Sequence, residues 1–258
     1  MPPRLSCCWL RCRGKEGVAM SSVLELATDL SEEELLKQLR QHEPWAHRID
    51  FSNGVSTADL ARRTPFSENP LNKLQVAARH IPFADLAGGT LLDIGCNSGF
   101  NAIHAANAYG MQAVGIDVVP RHIEVARLLA GVAGIDASFQ LANAETFALP
   151  GCAVVLHFGT LYHLQNPLLS LKTAHANLEP GGWLALETQT FDHPVDQNLA
   201  YFMQGDNNDL TNFWALSTAT LITYLRRLGF ATIIQALQVT IEGLGQHMHR
   251  TIIVARKR

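Results

Sequence analysis

The chain has 258 residues, of which 47% are hydrophobic, and its formal net charge is −3. This length and apolar content allow one large core, whereas the lack of a basic arm disfavours binding to nucleic acid through phosphates, and no apolar run approaches the ~18 residues of a membrane span. The five cysteines show neither a disulfide framework nor metal-ligand spacing, so we expect a cytoplasmic protein without a metal.

The first 70 residues are expected to contain two parts. Residues 1–19 lack the sustained apolar region of a signal peptide, and their composition predicts an extension without a fold of its own. Residues 20–70 are expected to form an N-terminal cap. Its clearest element is a helix over 32–41, because Asp29 or Ser31 can cap a helix there and acidic residues follow in the first turn.

From residue 71 onward, strand-like apolar runs alternate with helical stretches. The expected strands lie at 91–94, 112–116, 137–140, 153–158, 183–187, 231–237 and 250–255, and the expected helices at 71–79, 101–109, 121–130, 166–177 and 217–228. This alternation predicts an α/β domain over 71–258 with a doubly wound, mostly parallel, seven-stranded Rossmann-like sheet, which binds ligands at the carboxyl ends of its strands. The segment near 188–214 is expected to form a lid.

Two acidic residues and a glycine-rich turn lie at the ends of the first two strands. The sequence from Asp93 through Gly95 to Gly99 lets the chain turn tightly into a helix whose free N–H groups face a ligand. Asp117 ends the next strand, where a carboxylate accepts hydrogen bonds from the hydroxyls of a ribose. Because Asn97 stands where a dinucleotide fold has its middle glycine, no phosphate cradle is predicted. The motif indicates a nucleoside cofactor without phosphate.

This pattern resembles the first motif of class I S-adenosylmethionine (SAM) methyltransferases. Residues 158–169 and 184–188 are similar to segments of one subgroup, which includes the bacterial enzyme that carboxymethylates the wobble uridine of tRNA with carboxy-SAM. The resemblance runs from about His47 to the C-terminus and implies a Rossmann-like fold with SAM as cofactor. The cofactor-binding residues that it implies are Asp93, Gly95, Cys96, Asn97, Gly99, Asp117, Asn143, Ala144, Glu145 and Phe158.

Tyr162 and His163 are the catalytic candidates. By resemblance, Tyr162 matches a tyrosine that helps to hold the additional carboxylate of carboxy-SAM in the carboxymethylating relatives. Those relatives carry arginines just after the Tyr-His pair, where this chain has Leu164 and Gln165. Because a carboxylate buried without cationic partners costs several kcal/mol, the sequence favours ordinary SAM as donor. Only cations distant in sequence remain to reach Tyr162, such as Lys73 and Arg250.

The predicted function is SAM-dependent methyl transfer to an oxygen or nitrogen of a small molecule. The sulfonium of SAM is already a strong electrophile, so the protein has chiefly to hold a nucleophile in line and exclude water. Two alternatives share all the cofactor residues. One is a tRNA wobble-uridine (carboxy)methyltransferase, and the other is a SAM-binding module without catalytic activity.

Several side chains keep two interpretations. His163 is either a base or a structural histidine, and Glu187 either contacts the substrate or forms a structural ion pair. Arg250 is expected to be a surface charge at the start of the last strand, against the alternative of an anion clamp. The aromatic residues of the lid segment form either its own core or a substrate box: Phe191, Tyr201, Phe202, Phe213 and Trp214.

Overall fold

The computed structural model describes residues 23–45, 47–60, 71–203, 210–241 and 247–258. The chain divides after Asn72 into two compact units. The extension expected over residues 1–19 lies outside the described residues. In the described part of the chain, no helix combines the length and the apolar character needed to cross a bilayer.

The described residues of the N-terminal unit include a two-stranded parallel sheet and one α-helix before residue 60. Strand β1 (Leu24–Leu26) pairs with β2 (Ile49–Phe51), and α1 spans Glu32–Arg40. Of the two expected caps, Ser31 is the one used. Its Oγ accepts a hydrogen bond from the backbone N–H of Glu34, and the Glu34 carboxylate accepts one from the N–H of Ser31. This reciprocal capping box satisfies two donors that a helix start leaves unpaired.

A mixed sheet forms the frame of the second unit. Its strands are β3 (Thr90–Ile94), β4 (Gln112–Asp117), β5 (Ala137–Leu141), β6 (Cys152–Phe158), β7 (Leu178–Phe191), β8 (Ala200–Phe202), β9 (Trp214–Leu216), β10 (Phe230–Thr240) and β11 (Met248–Lys257). Seven of them follow the order β10-β11-β7-β6-β3-β4-β5, and β9 joins β7 to β8. The strands from β5 to β7 are parallel, whereas β11 is antiparallel to both its neighbours. The predicted doubly wound, mostly parallel sheet is therefore confirmed, and the short strands β8 and β9 extend the expected seven strands to nine.

Five helices accompany this sheet. They are α2 (Leu71–Ala78), α3 (Phe100–Tyr109), α4 (Pro120–Val132), α5 (Pro167–Asn177) and α6 (Thr218–Leu228). Leu171 of α5 and Leu221 of α6 pack in one core cluster with Leu184 of β7. All seven residues of β6 are buried, as expected for the centre of a sheet covered on both faces.

The order of the strands places a crevice in the middle of the sheet. From β3 the chain proceeds outward through β4 to β5, and it then returns to place β6 on the other side of β3. At such a reversal the connections leave in opposite directions and open a space above the carboxyl ends of the two central strands. Ile94 of β3 lies beside His157 of β6 in the register, so the turns that follow both strands border this crevice.

Strand β7 is longer than the sequence predicts. The expected strand covered residues 183–187, and the Pro-Gly-Gly sequence precedes it at 180–182. In the structure, α5 ends at Asn177 and β7 continues through that sequence to Phe191. Pairing with β6 from Leu178 and with β11 up to Phe191 accounts for the additional length. Glu187 therefore lies opposite Phe158, the last residue of β6, and the residues that follow Glu187 continue beyond the end of β6.

Candidate active site

The turn after β3 has the left-handed backbone that its glycines predict. Gly95, Asn97 and Gly99 have φ values of 71°, 49° and 77°. The N–H groups of Gly95 and Cys96 both donate to the carbonyl of Ile116, at 2.8 and 2.9 Å. The turn is therefore fixed to the end of β4, and it leads directly into the first turn of α3.

Asp117 at the end of β4 is already tied to this turn. Its Oδ2 accepts a hydrogen bond from the backbone N–H of Asn97 at 3.0 Å, and its Oδ1 accepts one from Val119 at 2.9 Å. His122 lies 3.1 Å from Oδ1. Burial raises the pKa of Asp117, but His122 and the two N–H groups outweigh burial and hold the pKa below its usual value. Asp117 is therefore an anion with a lone pair of Oδ2 left for a hydroxyl.

Asp93 near the end of β3 is paired less fully. The residue is 1% exposed, and its Oδ2 has no hydrogen-bond partner among the described residues. Burial raises its pKa to about 7, against the N–H of Ala102, and the negative charge of Asp117 adds to the rise. A buried carboxylate with an unpaired oxygen suits a cation, so this side chain fits the ammonium group of the methionine part of SAM.

The segment after β5 is held by α5. Asn143 is exposed, and its Oδ1 accepts a hydrogen bond from the N–H of Glu145 at 2.8 Å. Ala144 packs in the core, and the Glu145 carboxylate accepts a hydrogen bond from the N–H of Asn166 at 2.9 Å. These contacts place the Glu145 side chain at the start of α5. They do not test the cofactor role expected for residues 143–145, which stays a prediction.

Phe158 ends β6, and the two catalytic candidates follow it in a short 3-10 turn. Phe158 is 7% exposed. The rings of Tyr162 and His163 lie 4.2 Å apart. His163 Nδ1 is 2.9 Å from Thr211 Oγ1, and the carbonyl of Tyr162 accepts a hydrogen bond from the N–H of Phe213 at 2.8 Å. The segment before β9 therefore orients both candidates.

An ion cluster next to Tyr162 brings Glu187 together with Lys73 and Arg250, the two cations that are distant from Tyr162 in sequence. Lys73 Nζ is 2.9 Å from Glu187 Oε2, and Arg250 Nη2 donates to the same oxygen at 3.0 Å, while Arg250 Nε pairs with Oε1. The guanidinium of Arg250 also lies 5.0 Å from the centre of the Tyr162 ring. The Glu187 side chain is fully buried, and those of Lys73 and Arg250 are 17% and 19% exposed.

The surface position expected for Arg250 is wrong, because β11 pairs with β7 in a register that places Ile252 opposite Glu187. Opposite residues share a face of the sheet, so Arg250 lies diagonally across from the carboxylate. The ion-pair interpretation of Glu187 is confirmed by these contacts. The sequence offered only weak signals: an acidic residue in a buried strand and an arginine at the start of another.

The charges of this cluster do not cancel. Burial alone would raise the pKa of Glu187, but Arg250 and Lys73 hold it below its usual value. The pKa of Arg250 is raised by Glu187 against the opposing effect of burial. One carboxylate and two cations therefore leave a net charge of about +1 beside the hydroxyl of Tyr162. We call Lys73, Tyr162, Glu187 and Arg250 the cationic cluster.

The comparison with protein families decides the class of this protein. Residues 70–235 match the family model of a methyltransferase domain. The chain belongs to this methyltransferase family. Its membership confirms the fold class and the enzyme class predicted from the glycine turn, with SAM as cofactor.

Several relatives of this methyltransferase carry the name tRNA U34 carboxymethyltransferase. The one from Marinobacter nauticus is 37% identical over an alignment of 155 residues, and the match covers 57% of this chain and 45% of that protein. One from a Shewanella species is 27% identical over an alignment of 232 residues, and the match covers 78% of this chain and 69% of that protein. The methyltransferase thus spans about half the length of several curated relatives that it matches.

Solved structures show the same fold. The N-terminal domain of EvdMO1, crystallised in the presence of SAH and D-fucose, superposes with a TM-score of 0.71 at 18% identity. The superposition covers 89% of this methyltransferase and 98% of that domain. The [4+2]-cyclase SpnF superposes with a TM-score of 0.59, also at 18% identity. These similarities establish the fold. They do not identify the acceptor.

Proposed function

We propose that this methyltransferase transfers a carboxymethyl group from carboxy-SAM to a uridine of tRNA, the activity given by the name of the relatives from Marinobacter and Shewanella. The observation that carries the proposal is the cationic cluster. The expectation of ordinary SAM and a small-molecule acceptor depended on the lack of a cation beside Tyr162. That premise is wrong, because Arg250 lies over the Tyr162 ring and Lys73 shares Glu187 with it.

The charge of the cluster supports a donor with an additional carboxylate. Glu187 neutralises only one of its two cationic partners, so an anion entering beside Tyr162 meets a surplus positive charge and a hydroxyl donor. Gly159 leaves room there. A Cβ atom on it would lie 3.4 Å from Lys73 Nζ and 3.7 Å from the Tyr162 hydroxyl. A donor that carries only a methyl group would leave the surplus cation unmatched.

Each end of the donor has residues suited to it. Asp93 would hold the ammonium group and Asp117 the ribose, while Lys73, Tyr162 and Arg250 would hold the carboxylate. When bound, carboxy-SAM supplies an electrophilic carbon whose bond to sulfur breaks, with its electron pair passing to sulfur, as the nucleophile of the acceptor bonds to that carbon. Fixing both ends aligns this carbon with the acceptor, which is the main contribution that a protein makes to such a transfer.

His163 remains our candidate for accepting the proton that the acceptor loses. Its ring is packed against Tyr162, and the contact between its Nδ1 and Thr211 sets the orientation of the imidazole. An imidazole held in this way can accept a proton without a change of rotamer. The role of His163 therefore depends on the same segment that orients Tyr162.

Competition calorimetry with SAM and carboxy-SAM tests the proposal. We expect the wild-type protein to bind carboxy-SAM at least about tenfold more tightly, the effect of one charge-assisted hydrogen bond. Tyr162→Phe should weaken carboxy-SAM binding alone, since it removes only the hydroxyl. Incubation with label in the carboxymethyl group should then label tRNA. Equal or tighter binding of SAM, without labelled tRNA, would restore methyl transfer to a small molecule.

A further inference from the structure

Gln189 carries a buried polar group that the described fold does not satisfy. It lies in β7 and is 5% exposed, and its Oε1 has no hydrogen-bond partner. An unpaired amide oxygen away from water destabilises a protein, so this group requires an explanation, and a ligand that donates a hydrogen bond to the oxygen would supply one.

The position of Gln189 places it beside the reacting end of the donor. Because side chains alternate along a strand, Gln189 projects from the same face of β7 as Glu187. Arg250 is its direct partner in β11. The next residue on this face, Phe191, packs with Tyr162 in one apolar cluster. Gln189 is therefore one step beyond the cationic cluster, towards the carboxyl end of the strand, where an acceptor would approach.

The polar groups expected for the donor are already matched by other residues. Asp93 suits the ammonium, Asp117 the ribose and the cationic cluster the carboxylate. Gln189 is neutral, and a primary amide offers one acceptor and two donors in a single plane. This combination suits a ligand edge on which a donor and an acceptor stand side by side.

We propose that Gln189 recognises the acceptor base by the imide edge of uracil, an inference that rests on uridine being the acceptor. The uracil N3–H would donate to Gln189 Oε1, and a neighbouring uracil carbonyl would accept from Nε2. Bases of single-stranded RNA are read at this edge. Cytosine has an unprotonated N3 and an amino group there, so it presents the opposite pattern of donors and acceptors, and it would pair only if the amide turned over and exchanged its oxygen and nitrogen.

A structural role for Gln189 makes the opposite prediction. A glutamine kept for the fold would have its oxygen paired, and its replacement would lower stability. If Gln189 serves recognition, Gln189→Leu removes an unpaired buried oxygen at similar volume, so the melting temperature should stay the same or rise. The affinity for SAH should not change either, because the donor contacts lie on other residues.

Binding to three anticodon stem–loop RNAs tests the inference on the full chain in the presence of SAH. They carry uridine, 3-methyluridine or cytidine at the first anticodon position and are compared by fluorescence anisotropy at one salt concentration. We expect the wild-type protein to bind the uridine RNA at least about tenfold more tightly than the other two, the effect of losing one to two buried hydrogen bonds. In Gln189→Leu the ratio should fall to within about twofold.

Gln112→Leu is the matched control. Gln112 is exposed at the amino end of β4, whereas Gln189 lies towards the carboxyl end of β7. It should keep the wild-type ratio. Wild-type protein that binds the three RNAs equally or binds none of them overturns the inference, as does a Gln189→Leu variant that keeps the ratio. A preserved ratio without labelling of tRNA by carboxy-SAM would instead remove the proposed reaction and leave base recognition standing.

Discussion

Asp93 and Glu187 are both buried carboxylates near the carboxyl ends of parallel strands, yet the structure treats them oppositely. Asp93 has an unpaired oxygen and a pKa raised to about 7, chiefly by burial. Glu187 is just as buried, but Arg250 and Lys73 hold its pKa below the usual value. The difference shows that the charge of a buried carboxylate in this protein depends on its charged partners rather than on how deeply it is buried. The protein pairs Glu187 with two cations, which leaves one positive charge in surplus, whereas we propose that the partner of Asp93 is the ammonium group of a bound donor.

The largest expected effect is a loss of stability when Glu187, the carboxylate that the protein itself pairs, is neutralised. Glu187→Gln leaves two cations without their shared anion, and removal of one partner from a buried ion cluster costs about 3–5 kcal/mol of unfolding free energy. Urea denaturation measures it. Glu179→Gln, at an exposed position of the same strand, is the control and should change stability little. An equally stable Glu187→Gln would show that the cluster is not ionised.

The next effect concerns the carboxylate at the end of β4. Asp117→Ala removes charge-assisted hydrogen bonds to a ribose, so SAM affinity should fall by about 1.5–3 kcal/mol, or roughly ten- to hundredfold. Calorimetry on the folded variant measures it, with Asp136→Ala as a control at an exposed site just before β5. Unchanged affinity in a folded Asp117→Ala would remove the ribose assignment.

The raised pKa of Asp93 predicts that the affinity for the donor depends on pH. The ammonium of SAM prefers the ionised form of Asp93, and this form is lost as pH falls below a pKa of about 7. The affinity for the donor should therefore fall by up to about tenfold for each pH unit below 7, because Asp93 in the free protein then carries a proton that binding has to release. Calorimetry between pH 5.5 and 8, values chosen to span about one unit or more on either side of neutrality, measures the slope. Asp93→Asn should bind weakly with a flat profile, and a slope kept in that variant would assign the proton elsewhere.

The smallest expected effect concerns the backbone of the two glycines that flank α3. Gly99 and Gly110 both have left-handed φ, 77° and 64°. A Cβ on Gly99 would lie 2.7 Å from the Phe139 ring, whereas one on Gly110 would have its nearest neighbour at 4.0 Å. Both alanine variants should lose about 1–2 kcal/mol from the strained backbone. Gly99→Ala should lose more, because a ring must also shift, and equal losses measured by thermal unfolding would contradict this.

These two carboxylates also mark how far the sequence could be interpreted. The turn around Asp93 and the end of β4 lie within one continuous segment, so strand periodicity and glycine spacing were enough to predict them. The cationic cluster combines Lys73, Tyr162, Glu187 and Arg250, which four separate elements contribute. Their meeting depends on the register between β7 and β11, and a sequence pattern that repeats every two residues does not specify register.

The placement of β11 also has a consequence for how the protein is made. This strand follows the other described strands along the chain but lies between β7 and β10 in the sheet. During synthesis, β3 to β7 leave the ribosome before Arg250 does, and domains assemble as their segments emerge. A growing chain therefore holds Glu187 for a time without its guanidinium partner. Burial of that carboxylate is unfavourable until the final strand arrives, so closing the sheet around β11 is coupled to completing the charge balance of the site.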